Sequence, residues 1–219
     1  SLSHVKLEAT PTTHDLPFRA ADFATLTEAL DYAAQGETGS NFYTGRGAIY
    51  ASVPYRQLRE DALVLARKLL ALGLAKGDRV ALVAETNPDF IRFFYACQYA
   101  GLIPVALPAS VKVGAHQAYV AQLKRLLEAS DASVGVACEG YLPFLQEASE
   151  ALSMRMVEAP EAFYGLPASD SPLPEADPED ISYIQYTSGS TRFPRGVVIR
   201  HRTALANLQA IIAHGLEMN

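Results

Sequence analysis

The sequence predicts a doubly wound α/β fold, a mainly parallel sheet flanked by helices, on three observations. Short apolar runs at 80–84, 103–107 and 134–137 have the length of buried strands, and stretches with helical periodicity separate them. The segment 87–100 is apolar almost all round (Phe90, Ile91, Phe93, Phe94, Tyr95, Cys97, Tyr99), as a helix packed between layers must be. With 49% hydrophobic and 19% charged residues, the 219-residue chain has the material for a substantial core.

Residues 1–24 read as an N-terminal arm, with two prolines, two histidines and little periodicity. The chain starts at Ser1 instead of methionine, so part of this arm is expected to be an expression scar or a processed start. A helix is expected over 25–34, closed before Gly36. Residues 41–53 read as a hairpin, with Phe42 and Tyr43, a Gly45-Arg46-Gly47 turn, then Ile49, Tyr50 and Val53. Pro54 stops that strand and suits the first turn of the next helix. There Leu58, Ala62, Leu65, Leu69 and Leu72 recur at spacings of four and three, which buries one face, and Gly73 supplies the stop.

After a turn at Lys76-Gly77-Asp78, the run 80–84 reads as an interior parallel strand. Asn87-Pro88 opens a helix that Gly101 closes, and 103–107 is the next strand. A third helix places Tyr119, Leu123, Leu126 and Leu127 on one side; a strand over 134–137, a helix over 141–151 and a strand edge at 154–157 follow. Residues 25–166 thus read as one α/β subdomain.

Over 167–179 the composition shifts to Pro167, Pro172, Pro174 and Pro178 among Ser, Asp and Glu, which marks a linker. Its acidic cluster, Glu175, Asp177, Glu179 and Asp180, reads as a solvated connector and not a metal site, because no His or Cys accompanies it. Residues 180–219 form a strand, a polar loop, a strand and a helix that complete the same sheet region.

The net charge of −6 argues against a nucleic-acid partner, which needs a basic face, but is compatible with a local phosphate pocket. The two cysteines, Cys97 and Cys138, read as reduced, buried thiols in preference to a disulfide, which favours a cytoplasmic location. Residues 1–6 lack the basic start and apolar core of a signal peptide. The most apolar tract, 93–107, falls short of the about 20 residues a membrane helix needs, and Gln98, Gly101 and Pro104 interrupt it. No transmembrane segment is expected. His4, His14, His116 and His214 are scattered without ligand spacing.

The stretch that carries chemistry is Tyr186-Thr187-Ser188-Gly189-Ser190-Thr191-Arg192-Phe193-Pro194-Arg195-Gly196. Four hydroxyls surround a glycine, and two guanidinium groups follow; such an inventory suits a phosphate-bearing ligand. A polar surface turn uses the same residue types, and composition alone leaves both readings open. The spacing is not that of a Walker loop, which needs Gly-Lys-Ser/Thr entering a helix, and no Gly-x-Gly-x-x-Gly fingerprint occurs. His201 after the second strand reads as a capping or positioning residue more than a general base, and Tyr186 as a packing residue at the strand end.

At Thr187, Ser188, Gly189, Ser190, Thr191, Pro194 and Gly196 the chain resembles the adenylate-forming, acyl-activating enzymes. The resemblance extends to Gly77-Asp78-Arg79-Val80-Ala81-Leu82 and to Ala204-Leu205-Ala206-Asn207-Leu208, and covers residues 25–215. Gln185 and Ser190 lean toward the fatty acyl-AMP ligase branch, with long-chain acyl-CoA synthetases beside it. The resemblance implies that a carboxylic acid, fatty in this branch, reacts with ATP to give acyl-AMP and pyrophosphate, and that CoA or the phosphopantetheine of an acyl carrier protein then takes the acyl group. It also implies that Thr187, Ser188, Gly189, Ser190, Thr191, Arg195 and Gly196 bind the ATP phosphates, with Thr191 near Mg²⁺. Arg195 stands at the family's lysine, which changes a point charge into a fork, and Arg192 stands where the family has glycine. The family's catalytic lysine, adenine and ribose contacts and Mg-binding glutamate have no counterpart in this sequence. The chain therefore reads as the N-terminal part of a longer enzyme, inactive by itself and with no catalytic residue of its own. A non-catalytic nucleotide-binding homologue is the alternative.

Overall fold

The computed structural model describes residues 5–10, 23–36, 39–43, 49–85, 87–109, 111–186, 196–206 and 217–218. In chain order the elements are β1 (Val5–Thr10), α1 (Leu26–Ala33), β2 (Gly39–Tyr43), β3 (Ile49–Pro54), α2 (Tyr55–Leu70), β4 (Arg79–Val83), α3 (Pro88–Ala100) and β5 (Ile103–Leu107). They continue with α4 (His116–Ser130), β6 (Ala132–Val136), α5 (Leu142–Ser149), β7 (Met156–Glu158), α6 (Pro160–Tyr164), β8 (Ile181–Gln185), β9 (Val197–Arg200) and β10 (Glu217–Met218). Residues 201–206 are helical.

The main sheet has six strands in the order β7-β6-β4-β5-β8-β9. Every pairing is parallel except that of β8 with β9. The doubly wound expectation therefore holds, and the apolar run at 80–84 is the interior strand it was expected to be. Alternation along β4 feeds two cores. Val80 and Leu82 face α1, α2, α3 and α6, whereas Ala81 and Val83 face α4 and α5.

Helix starts and stops follow the sequence signals. Thr25 caps α1 by accepting from Glu28 N–H at 3.3 Å, and Asn87 caps α3 by accepting from Phe90 N–H at 3.1 Å. Gly101 closes α3 at φ 70°, the left-handed conformation that glycine adopts without penalty. The stripe Leu58, Ala62, Leu65 and Leu69 is buried, and α2 packs along α3. Pro54 ends β3 as expected but stands at the N-cap of α2, one position before its first turn.

A second sheet pairs β10, β1, β2 and β3 antiparallel. Residues 5–10, read as part of an extended arm, form the strand beside the expected β2–β3 hairpin; its turn at Gly45-Arg46-Gly47 lies outside the described residues. Helix α6 is likewise new. Its Phe163 meets Phe93 edge-on at 5.4 Å, so this short helix closes the core above α3.

The proline-rich stretch is fastened down through its backbone, while Glu175, Asp177 and Glu179 are exposed, in keeping with a solvated connector. Ser169 N–H donates to Arg67 O at 2.9 Å, Arg67 Nη1 to Ser171 O at 2.9 Å, and Lys76 Nζ to Glu175 O at 3.3 Å. Of its acidic residues, Asp180 pairs with Lys76 at 3.0 Å and Glu179 with Arg202 at 2.6 Å. Cys97 is buried and Cys138 only half-buried, and neither is in a disulfide. Among the described residues no helix is long and apolar enough to cross a membrane.

Candidate functional site

The sheet order places the ligand edge. From β4 the chain passes through α3 to β5 on one side; from β6 it passes through α5 to β7 on the other. Connections that diverge from adjacent strands leave a crevice outside their carboxyl ends, where open α/β sheets bind ligands. Strand β8 runs parallel to β5, so its carboxyl end faces the same edge. Thr187, Ser188, Gly189, Ser190, Thr191 and Arg195, together with Arg192, lie outside the described residues. Chain connectivity sets them between the end of β8 and the start of β9.

Gly196, where the chain re-enters the sheet, is described. A Cβ at this position would lie 2.6 Å from Ile184 Cγ2, 2.9 Å from Tyr186 Cζ and 3.1 Å from Tyr186 Oη. Real Cβ atoms do not approach that closely, so Ile184 first and the ring of Tyr186 next favour glycine at the neck of the hairpin. Tyr186 is buried, as a packing residue must be, and its N–H donates to Ala106 O at 3.1 Å. Burial raises its phenol pKa and keeps it neutral.

At the crevice itself, three polar residues answer one another. Glu85 Oε2 accepts from Cys138 N–H at 2.9 Å, and Asn87 Nδ2 lies 3.3 Å from Cys138 Sγ. Burial, with the Glu85 charge next, pushes the Cys138 thiol up to about 12, so it is not a nucleophile. The crevice they line with Asp89 holds about 10 Å³, room for one water and no more. Glu85 went unnoticed in the sequence, and Cys138 was read only as a reduced, buried thiol. Their position just after β4 and β6 was the available signal.

At the base of the hairpin, His201 is buried, its N–H donating to Asp180 O at 3.2 Å and its Nδ1 accepting from Leu26 N–H at 3.2 Å. The structure thus gives His201 the capping role expected of it. The geometry defines a β8–β9 hairpin held at neck and base, with the carboxyl end of β8 at the same sheet edge as that of β5.

The chain belongs to the AMP-binding enzyme family, which matches residues 31–219. It is 43% identical to a provisionally named acyl-CoA synthetase of Caulobacter vibrioides over 97% of this chain and 37% of that protein. A fatty acid–[acyl-carrier-protein] ligase of Streptomyces coeruleorubidus is 27% identical, over 88% of this chain and 36% of its own length. Among solved structures, one from a study of fatty acyl-adenylate ligases of E. coli and L. pneumophila superposes with a TM-score of 0.81 at 44% identity, covering 89% of this chain and 35% of that one. The chain therefore spans little more than a third of the length of these relatives.

Proposed function

We propose that the chain supplies the pyrophosphate-holding part of a fatty acyl-activating ligase. A carboxylate oxygen of the fatty acid attacks the α-phosphorus of ATP, the bond to the β-phosphate oxygen breaks, and acyl-AMP and pyrophosphate form. A thiol then attacks the acyl carbonyl and AMP leaves. The acceptor in this reading is the phosphopantetheine of an acyl carrier protein. The 44% identity to the fatty acyl-adenylate ligase structure carries the proposal. The name of the Streptomyces relative supports the carrier-protein acceptor, and that of the Caulobacter relative favours CoA as the second reading.

Within the proposal, Thr187, Ser188, Gly189, Ser190 and Thr191 donate hydrogen bonds to the β- and γ-phosphates, and Arg195 places a fixed cation beside them. Such donors stabilise the charge that builds on pyrophosphate as the bond breaks. The Thr191 hydroxyl is a hard oxygen donor of the kind Mg²⁺ accepts; bound with ATP, the cation would neutralise charge on the leaving group. Gly196 acts by letting Tyr186 close the hairpin neck.

The test is pyrophosphate release by the longer protein containing this chain, with carboxylic acids of graded length, followed by acyl transfer to CoA or to holo carrier protein. Release with long acids and transfer to the carrier protein is expected. No release with any acid would overturn the enzyme reading, and transfer to CoA alone would select the second. The 219-residue chain by itself is expected to release none.

A further inference from the structure

Helix α1 begins with a backbone donor that no residue of the helix can accept. Thr25 takes Glu28 N–H, whereas Leu26 N–H reaches across 175 residues to Nδ1 of His201, at 3.2 Å. The same histidine's backbone N–H donates to Asp180 O across the open end of the β8–β9 hairpin. One buried residue thus joins the entry to β8 through its backbone and the first turn of α1 through its side chain, at the exit of β9.

Only one protonation state of the imidazole makes this contact. A ring nitrogen that accepts from a backbone N–H carries no proton, so the proton sits on Nε2. Protonating Nδ1 sets two donors against each other. The charged groups facing the ring are Asp180 and Asp177 before β8 and Lys76 before β4, and His201 lines a cavity of about 270 Å³ with Lys76, Glu179, Asp180 and Arg200. That cavity brings solvent beside His201 and a route for protons to an otherwise buried residue. Burial is the largest influence on the imidazole and holds its pKa below the ordinary value; Lys76 acts in the same direction, while Asp180 and Asp177 oppose.

We propose that His201 is a positioning residue whose neutral imidazole fixes the β8–β9 hairpin against α1, and whose protonation releases it. The consequence for ligand binding rests on the phosphate reading given above. The contact itself does not.

Two measurements on the 219-residue chain separate them. The protection of the Leu26 amide, its exchange rate relative to the intrinsic rate at each pH, should be high at about pH 8 and fall below the ordinary histidine range near 6.5. His201→Asn keeps an acceptor at the place of Nδ1, whereas His201→Gln carries its amide at the place of Nε2. Leu26 protection should therefore survive in the Asn variant and fall at least about tenfold in the Gln variant, a change of about 1.4 kcal/mol. Mg-pyrophosphate binding, followed by calorimetry, should weaken about tenfold in His201→Gln and stay within about threefold of the parent in His201→Asn. On acidification the parent should lose affinity relative to His201→Asn, a ratio that cancels the titration of pyrophosphate itself. Equal Leu26 protection in the parent and the Gln variant overturns the contact. Lost protection with unchanged pyrophosphate affinity overturns the positioning role. If the parent binds no pyrophosphate, the phosphate reading and the positioning role fall together, while Leu26 exchange still decides the contact.

Discussion

Gln98 of α3 and Ser182 of β8 form a closed, buried pair. Gln98 Nε2 donates to Ser182 O at 2.9 Å, and Ser182 Oγ donates to Gln98 Oε1 at 3.3 Å. Both residues are buried, so neither has water to fall back on. Gln98→Leu is expected to cost about 1–3 kcal/mol, because it strands two polar groups of Ser182. Adding Ser182→Ala should recover part of that loss. Denaturant unfolding of the single and double variants measures both; equal losses in the two would contradict the pairing.

Gly196→Ala should destabilise the hairpin by about 1–3 kcal/mol, since the new methyl meets Ile184 Cγ2 and the Tyr186 ring. Ile184→Ala or Tyr186→Ala in the same chain should relieve part of the strain. Thermal unfolding of the variants tests this, and a Gly196→Ala protein as stable as the parent would show that the neck is not closed by contact.

Asp31 gathers two donors from neighbouring helices: Arg59 Nε at 2.7 Å and Tyr99 OH at 2.5 Å. Tyr99→Phe removes one hydrogen bond and should cost about 0.5–1.5 kcal/mol. Asp31→Ala leaves the Tyr99 hydroxyl without its acceptor and should cost more. Burial, reinforced by Asp31, raises the Tyr99 pKa, so no tyrosinate should form at Tyr99 in alkali before unfolding, as ultraviolet titration would record.

Neither thiol should react readily. Burial raises Cys97 and Cys138, the latter to about 12, so alkylation at about pH 8 should be much slower in the native chain than in urea. Rapid native labelling of Cys138 would mean that the Glu85–Asn87 surroundings do not hold it as described.

The hydrophobic periodicity made the sheet and its helices legible, because each apolar run had one partner face to bury. It missed α6, whose five residues are too few for a period, and β1, although Val5, Leu7 and Ala9 alternate there with Lys6, Glu8 and Thr10; the prolines and histidines of the surrounding stretch outweighed that short signal. It read the prolines at 167–179 as a linker but gave no sign of its anchors: backbone carbonyls and an amide there are taken by Arg67 and Lys76, partners about 100 residues away. Gln98 looked like an interruption in an apolar tract; only the strand order, which sets β8 beside α3's own sheet, supplies its partner. The loop after Tyr186 was legible as an inventory suited to phosphate, and Gly196 as a match to the family pattern. The reason for glycine there, Ile184 and the Tyr186 ring, was not, because contact across a hairpin neck depends on register.

The strand order also has a kinetic meaning. Strands β4 and β5 are joined by a single helix, so their pairing closes a short loop, but β8 must wait for a partner laid down more than seventy residues earlier, at Val105↔Ile184 and Ala106↔Gln185. Pairings that close long loops form late in folding and contribute little to the nucleus. The β8–β9 hairpin is thus expected to be the last part of the sheet to be added, and the first to detach when the fold breathes.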